Sequence, residues 1–227
     1  AAFYEIGADD LPTYVDLGMA LRKLGEAARV SLSGFTLEGS ERKDLRYEHR
    51  RAVREGCRLE LIEPAAVPAQ LDVLEAISND WLKRKSAREK GFSLGFFSTD
   101  YLARCPAAIV RRAGQIVAFA NLWETAGCEE LSVDLMRFSE DAPKGVMDYL
   151  FVELMLWGKA RGYRWFNLGM APLAGLEDRR LAPAWHKFGR LVARWGEDFY
   201  NFEGLKHYKA KFLPEWRPRY LAAPGGL

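Results

Sequence analysis

The chain has 227 residues, of which 49% are hydrophobic and 28% charged, and its formal net charge is +2. These values are typical of a soluble globular protein with one large or two small domains, and they do not by themselves require a nucleic-acid partner. The three cysteines and three histidines are scattered, so we expect no disulfide framework and no metal site, and no apolar run is long enough to span a bilayer.

The first 66 residues are predicted to form helix, strand, helix and strand. Apolar residues from Leu11 to Val30 have helical spacing, and "LSGFTLEG" is a candidate strand. A basic helix begins near Ser40 and stops at Gly56, and "CRLELIE" alternates as a strand. The chain opens as if inside a domain, so we expect a fragment whose residues 1–66 end a first repeat.

Residues 67–227 are predicted to form a second, complete unit. Three strands with turns at Ala113–Gly114 and Ala126–Gly127 feed a helix that starts near Gly145. Two helices precede these strands, from Pro68 to Lys90 and after a cap at Ser98 or Thr99. Strand 163–169, helices 185–195 and 200–212 and a strand "EWRPRYLA" follow. Pro218 places the last strand at an edge.

This order predicts an α/β (α+β) fold with a mixed, mostly antiparallel sheet flanked by helices. It also describes acyltransferases of the N-acetyltransferase (GNAT) superfold. A GNAT that uses acetyl-CoA has a glycine-rich turn whose backbone N–H groups hold a pyrophosphate at a helix N-terminus. Here "EDAPKGVMDYL" stands in that place with Gly145 as its one glycine, which argues against the usual cofactor.

A carboxylate and a guanidinium stand out in the strand "LSVDLMRF". Asp134 and Arg137 are three residues apart, and such residues face opposite sides of a regular strand. They can share one cleft only if the strand bulges or ends near Met136, as strands often do beside active sites. The alternative is a surface salt bridge or a solvated strand edge.

Two basic segments are candidates for contact with RNA, each with an ordinary structural alternative. The helix 43–54 carries cations at helical spacing, which suits either a solvated face or a track for a phosphate backbone. The second segment, 206–219, has Lys206, Lys209 and Arg217 interleaved with aromatic residues. Such interleaving suits the single-stranded end of an RNA or, equally, an amphipathic terminal helix.

The stretches "RKDLRYEHRRAVREG", "SVDLMRFSEDAPKGVMDYLFVELMLWGKARGYRWFNLGMAPLAGL" and "NFEGLKHYKAKFLPEWRPRYLA" resemble the C-terminal catalytic domain of the multiple peptide resistance factor family. Members are aminoacyl-phosphatidylglycerol synthases with tandem GNAT-like repeats. The resemblance implies transfer of an amino acid, with alanine favoured and lysine possible, from aminoacyl-tRNA to phosphatidylglycerol. It further implies resistance to cationic antimicrobial peptides, a membrane-spanning flippase region before this soluble fragment, and a place at the cytoplasmic face of the bacterial inner membrane.

The resemblance also assigns residues. Asp134, Arg137 and Lys209 match the active centre, and Tyr101 lines the aminoacyl pocket. Glu203 is a further candidate from the resemblance, and Lys206 and Arg217 of the second basic segment complete the expected substrate contacts. Aminoacyl-tRNA is the co-substrate and no further cofactor is expected. The rival interpretations are a Fem-like transferase acting on a peptidoglycan precursor, an acetyl-CoA-dependent GNAT, and a non-catalytic module that binds RNA or membrane.

Overall fold

A computed structural model describes residues 1–85, 95–175 and 202–225. In these ranges the chain forms eight strands and six α-helices. The strands are β1 (Phe3–Ile6), β2 (Met19–Ser31), β3 (Arg58–Ile62), β4 (Ala107–Arg112), β5 (Gln115–Glu124), β6 (Glu130–Phe138), β7 (Trp165–Pro172) and β8 (Glu215–Pro224). The helices are α1 (Leu11–Asp16), α2 (Lys43–Arg54), α3 (Leu71–Arg84), α4 (Thr99–Leu102), α5 (Val146–Ala160) and α6 (Phe202–Ala210).

The chain divides into two compact units. The larger comprises Val30–Asn167, and the smaller combines Ala1–Arg29 with Leu168–Leu227. This division follows spatial compactness, whereas the boundary expected after residue 66 separates two repeats along the chain. The repeat boundary therefore stays a prediction.

The larger unit is built on the sheet order β7-β6-β5-β4-β3. Strands β3 to β6 are antiparallel neighbours, and β7 pairs with β6 in parallel, with Leu131 opposite Phe166. A parallel pair needs a crossover, and α5 provides it between β6 and β7. The expected mixed, mostly antiparallel sheet flanked by helices is confirmed in this unit.

Helices cover both faces of this sheet. Phe119 and Leu135 belong to a buried cluster with Leu74 and Ile77 of α3, so α3 covers the face on which these two strand residues lie. Leu131 points to the opposite face, where its side chain lies against Gly158 of α5. Because α5 is enclosed by this sheet and by α2, it is apolar almost all round, as a buried helix must be.

The smaller unit contains an antiparallel arrangement in the order β1-β8-β2. The expectation that β8 is an edge strand was wrong, because β8 has a partner on each side. Pro218 is tolerated since β1 pairs only with the part of β8 from Tyr220 to Ala222. The proline therefore lies where β8 has β2 as its partner, opposite Glu26, and where no ladder bond to β1 is needed.

Two further expectations near the N-terminus were wrong. The predicted helix from Leu11 to Val30 is a six-residue helix followed by strand β2, and residues 32–39 form turns instead of a strand. Gly18 has φ +69° and ends α1, since it adopts this conformation without strain. In β2 a register shift between Lys23 and Gly25 disturbs the alternation of buried residues, so the pattern imitates a helix.

Most of the remaining elements were predicted correctly. Helix α2, strands β3 to β7 and helix α5 lie where the sequence placed them, and the Ser98 hydroxyl caps α4 by accepting from the Tyr101 backbone N–H at 3.4 Å. The end of the predicted helix to Lys90 and the predicted helix 185–195 lie outside the described residues. Within the described ranges, no helix combines the length and apolarity needed to cross a membrane.

Candidate functional site

The central feature of the site is a β-bulge in β6. Ala120 of β5 is opposite Met136, but Leu122 is opposite Val133. Asn121 alone therefore faces two residues of β6, Asp134 and Leu135, which defines a bulge. The expected irregularity near Met136 is confirmed, one to two residues earlier than Met136 itself.

The bulge brings Asp134 and Arg137 to the same face of the sheet. Arg137 is directly opposite Phe119, and residues opposite each other in an antiparallel pair point to the same side. Phe119 faces α3. Asp134 also faces this side, because its carboxylate bonds to the side chain of Tyr101 in α4. In an unbroken strand the two side chains would point to opposite faces.

The Asp134 carboxylate has a donor on each oxygen. The Tyr101 hydroxyl donates to Oδ2 at 2.6 Å, and the backbone N–H of Gly95 donates to Oδ1 at 2.8 Å. A Cβ atom added at Gly95 would collide with the carboxylate, so the approach of this backbone requires glycine. Two bonds from fixed groups hold Asp134 in one orientation and leave part of its acceptor capacity unused.

The Tyr101 hydroxyl makes three side-chain hydrogen bonds in this network. Its hydroxyl oxygen accepts from Asn121 Nδ2 at 2.9 Å and from Trp123 Nε1 at 2.8 Å, while its proton goes to Asp134. One donor and two acceptor positions are all that a hydroxyl has. Burial, first, and then the hydrogen bond to Asp134 raise the pKa of Tyr101. The hydroxyl is therefore saturated and stays protonated, and any contact of Tyr101 with a substrate falls to its ring.

Arg137 is held beside this network by an aromatic ring. Its guanidinium lies 4.4 Å from the ring centroid of Trp81 in α3, and its Nη1 donates to the backbone carbonyl of Met136 at 2.9 Å. Stacking on an indole fixes the plane of a guanidinium and stabilises its charge. A carboxylate and a cation thus lie on one sheet face within three residues of sequence.

Lys209 belongs to the smaller unit and is buried, with 7% of its surface exposed. Its Nζ donates to the backbone carbonyl of Met170 at 2.8 Å. Burial lowers the pKa of Lys209 from 10.5 to about 8, against a weaker opposing effect of Glu5. Burial also raises the pKa of Glu5, opposed by Arg219 and Lys209. A lysine with this pKa exchanges its proton near neutral pH.

The other expected substrate contacts lie on the surface of the smaller unit. Glu203, Lys206 and Arg217 are exposed. Lys206 Nζ lies 5.9 Å from the ring centroid of Trp216, and Arg217 pairs with Glu215 at 2.8 Å. Lys209 thus differs from Lys206 on the same helix in being buried. The substrate-binding and catalytic roles expected for Lys209, Glu203, Lys206 and Arg217 stay predictions.

The N-terminus of α5, where an acetyl-CoA enzyme of this fold would hold a pyrophosphate, is occupied by a carboxylate. Gly145 caps the helix with φ +79°, and a Cβ atom at this position would collide with Glu48 of α2. Glu48 pairs with Arg51, which donates to the backbone carbonyl of Lys144. A carboxylate is stabilised at a helix N-terminus, and it would repel a phosphate there.

Reasoning from sequence missed three residues of the network: Gly95, Asn121 and Trp123. One signal was available, since Asn121 interrupts the otherwise apolar run "IVAFANLW" in β5, and buried amides must find partners. Gly95 and Trp123 carried no such signal, because only the tertiary fold brings them to Asp134 and Tyr101.

Comparison with known proteins gives a match along almost the whole chain. The model of the family described as "Phosphatidylglycerol lysyltransferase, C-terminal" matches residues 1–223. A phosphatidylglycerol lysyltransferase from Bacillus subtilis is 42% identical over 221 residues, which are 97% of this chain and 26% of that protein. The chain thus spans about a quarter of the length of this relative.

Solved structures agree with the sequence match. The C-terminal domain of a putative lysylphosphatidylglycerol synthetase from Agrobacterium fabrum is 44% identical, with a TM-score of 0.84 over 100% of this chain and 68% of that one. L-PGS from Bacillus licheniformis is 40% identical, with a TM-score of 0.82 over 98% and 67%. FemX, at 9% identity and a TM-score of 0.61 over 97% and 71%, shares the fold alone. The expected GNAT-like fold is confirmed.

Proposed function

The chain belongs to the family of phosphatidylglycerol lysyltransferase C-terminal domains, and on this premise we propose that it is the part of an enzyme that transfers an amino acid from aminoacyl-tRNA to phosphatidylglycerol. The acceptor is supported by the names of the relatives. The full-length protein would act at the cytoplasmic face of the bacterial inner membrane, beside an N-terminal membrane-spanning region, and would confer resistance to cationic antimicrobial peptides.

The observation that carries the chemistry is the held carboxylate at the bulge. Asp134 receives one donor on each oxygen and keeps acceptor capacity for a third group. A carboxylate in this state suits the α-ammonium group of an aminoacyl ester, or the hydroxyl that attacks it. Because the ester is already activated, alignment of the hydroxyl with the carbonyl supplies much of the rate.

Arg137 and Lys209 are proposed to interact with negative charge during the transfer. Attack of the glycerol hydroxyl on the ester carbonyl develops negative charge on the carbonyl oxygen, and the ribose oxygen of the tRNA then leaves with a proton. Arg137, fixed on Trp81, would stabilise this charge or hold a phosphate of lipid or tRNA. For Lys209 we propose phosphate binding or charge stabilisation on the strength of the family resemblance alone. No metal or cofactor beyond the aminoacyl-tRNA enters the proposal.

An RNA donor is supported by the exposed face of α2. Lys43, Arg50 and Arg54 are exposed on one side of the helix, and no ion pair is recorded for them among the described residues. The acids Glu48 and Glu55 lie on the other side and pair with arginines. Asp44 is also exposed, beside Lys43, but the helix still presents an excess of positive charge along about three turns, which suits a phosphate backbone.

The rival donors and acceptors find less support. The Glu48 carboxylate at the start of α5 disfavours the pyrophosphate of acetyl-CoA. The likeness to FemX concerns the fold alone, so a peptidoglycan-precursor amine stays a rival acceptor for the experiment to separate. For the transferred amino acid, the names of the relatives favour lysine, whereas the family resemblance of the sequence favoured alanine.

The test is a transfer reaction with labelled lysyl-tRNA or alanyl-tRNA and vesicles that contain phosphatidylglycerol or only phosphatidylcholine. We expect labelled lipid from phosphatidylglycerol alone, and a loss of about tenfold or more in Asp134→Asn. Asp141→Asn, at an exposed loop position, is the matched control and should retain activity. Transfer of the label to an added peptidoglycan-precursor amine instead of lipid would overturn the proposal. Full activity of Asp134→Asn would do so too, as would a wild type that labels no lipid but transfers acetyl groups from labelled acetyl-CoA.

A further inference from the structure

We propose that Asn121 is a positioning residue for Asp134 and that it acts through the hydroxyl of Tyr101; the inference rests on the proposed function. Asn121 is fully buried, with 0% of its surface exposed, between the buried apolar residues Ala120 and Leu122. A buried amide is costly unless both of its ends are bonded. Both are: Oδ1 accepts from the backbone N–H of Leu135 at 2.7 Å, and Nδ2 donates to Tyr101 at 2.9 Å.

The first role of the amide is to hold the bulge. A bulged strand presents one more residue than its partner can pair, so a backbone group is left without its ladder bond. The side chain of Asn121 accepts from Leu135 N–H in place of a β5 carbonyl. Asp134 precedes Leu135 in the bulge, so this bond fixes the backbone on which the carboxylate is mounted.

The second role is to set the direction of every proton in the network. A backbone N–H can only donate, so the amide atom facing Leu135 must be oxygen, and the nitrogen must face Tyr101. Trp123 Nε1 can likewise only donate. Both acceptor positions of the Tyr101 hydroxyl are then taken, and its proton can go only to Asp134. One backbone N–H at the bulge thus determines that Asp134 accepts a hydrogen bond.

The isosteric variant Asn121→Asp separates these roles. When the new carboxyl group is ionised, one of its oxygens still accepts from Leu135 and the other can only accept from Tyr101, so the variant is assayed at increasing pH to ionise it. The second oxygen competes for the phenolic proton that Asp134 now receives. We expect kcat for lipid aminoacylation to fall about 10- to 100-fold, the range for losing a hydrogen bond to a charged group, with a smaller change in KM for aminoacyl-tRNA.

A double-mutant cycle with Tyr101→Phe tests whether the effect passes through the phenol. Once the hydroxyl is gone, Asn121→Asp has no proton to divert, so its further effect on kcat should be less than about threefold. Trp123→Phe replaces the indole by a phenyl ring and so removes one donor to the Tyr101 hydroxyl, and it should lower kcat by a smaller factor than Asn121→Asp. If the effects of Asn121→Asp and Tyr101→Phe on kcat simply multiply in the double variant, the proposal is overturned.

A spectroscopic readout separates this inference from the proposed function. With tyrosine labelled by ¹³C at Cζ, the Tyr101 resonance is assigned as the one missing in Tyr101→Phe. We expect it to shift in Asn121→Asp and, less, in Trp123→Phe, whereas Asp141→Asn should leave it in place. If the Tyr101 resonance is unshifted in both Asn121→Asp and Trp123→Phe, Asn121 does not act through the Tyr101 hydroxyl; the Trp123→Phe result stands even if Asn121→Asp is poorly folded. If the resonance shifts but the wild type labels no lipid, the proposed function is rejected, whereas the action of Asn121 on Asp134 through the Tyr101 hydroxyl is supported.

Discussion

The buried ammonium group of Lys209 should make the stability of the protein depend on pH in a specific window. The folded-state pKa is about 8, against the ordinary 10.5. Below pH 8 the group is charged in both states, and the folded state bears the full cost of the buried charge. Between about pH 8 and 10.5 the unfolded state binds more protons, so the free energy of unfolding rises with pH.

The magnitude follows from the displacement. A change in pKa from 10.5 to about 8 corresponds to about 3.4 kcal/mol. Lys209→Met removes this cost but leaves the carbonyl of Met170 without its donor, which costs about 1–3 kcal/mol at every pH. We therefore expect Lys209→Met to be more stable than the wild type at pH 7, by up to about 2.4 kcal/mol, and less stable above pH 10.5.

Urea unfolding of both proteins from pH 7 to 11 measures this difference. Other titrating groups are common to the two proteins and cancel in the comparison. Lys206→Met, at an exposed position on the same helix, is the control and should show no such dependence on pH. A stability difference between Lys209→Met and wild type that stays constant from pH 7 to 10.5 would refute the view that Lys209 carries a desolvated charge.

Two further variants, one single and one double, test the site and the RNA surface. Gly95→Ala should displace the carboxylate at the bulge and lower kcat about tenfold or more, with little change in the urea midpoint; undiminished transfer would contradict the close backbone approach. Arg50→Gln combined with Arg54→Gln should weaken tRNA binding and lower the slope of log affinity against log salt by about two. As a control, the double variant Arg161→Gln with Arg164→Gln removes two exposed cations elsewhere in the same unit and should leave the slope unchanged. An equal loss of tRNA affinity in both double variants would argue against specific binding of RNA by α2.

The sequence predicted the elements whose signals are local. Glycines at the ends of α2 and β4, a serine before α4, and alternating or continuous apolar runs in β3 to β6 each act over a few residues. The GNAT-like fold and the family also followed from contiguous motifs. The geometry of Asp134 and Arg137 could be stated in advance because side-chain alternation in a strand leaves a bulge as the way to bring them to one face.

The predictions that were wrong concern elements whose structure depends on strand partners distant in sequence. Residues 19–31 have helical spacing, but pairing with β8 makes them a strand, because backbone partners and burial outweigh propensity. Pro218 indicated an edge strand, and only the short span of β1 shows how the proline fits between two neighbours.

Sequence reasoning identified the carboxylate and the guanidinium at the bulge, Asp134 and Arg137, and the lack of a glycine-rich phosphate loop before α5; a role for Lys209 in the same chemistry stays a prediction. The tertiary structure alone decided how Asp134 and Arg137 are held. Asn121 and Trp123 come from β5, Tyr101 from α4 and Gly95 from the segment before it, and their polar atoms meet only when α4 packs over the sheet. Hydrogen bonds are short-range and directional, so residues up to 39 positions apart can orient Asp134 without leaving a pattern along the chain.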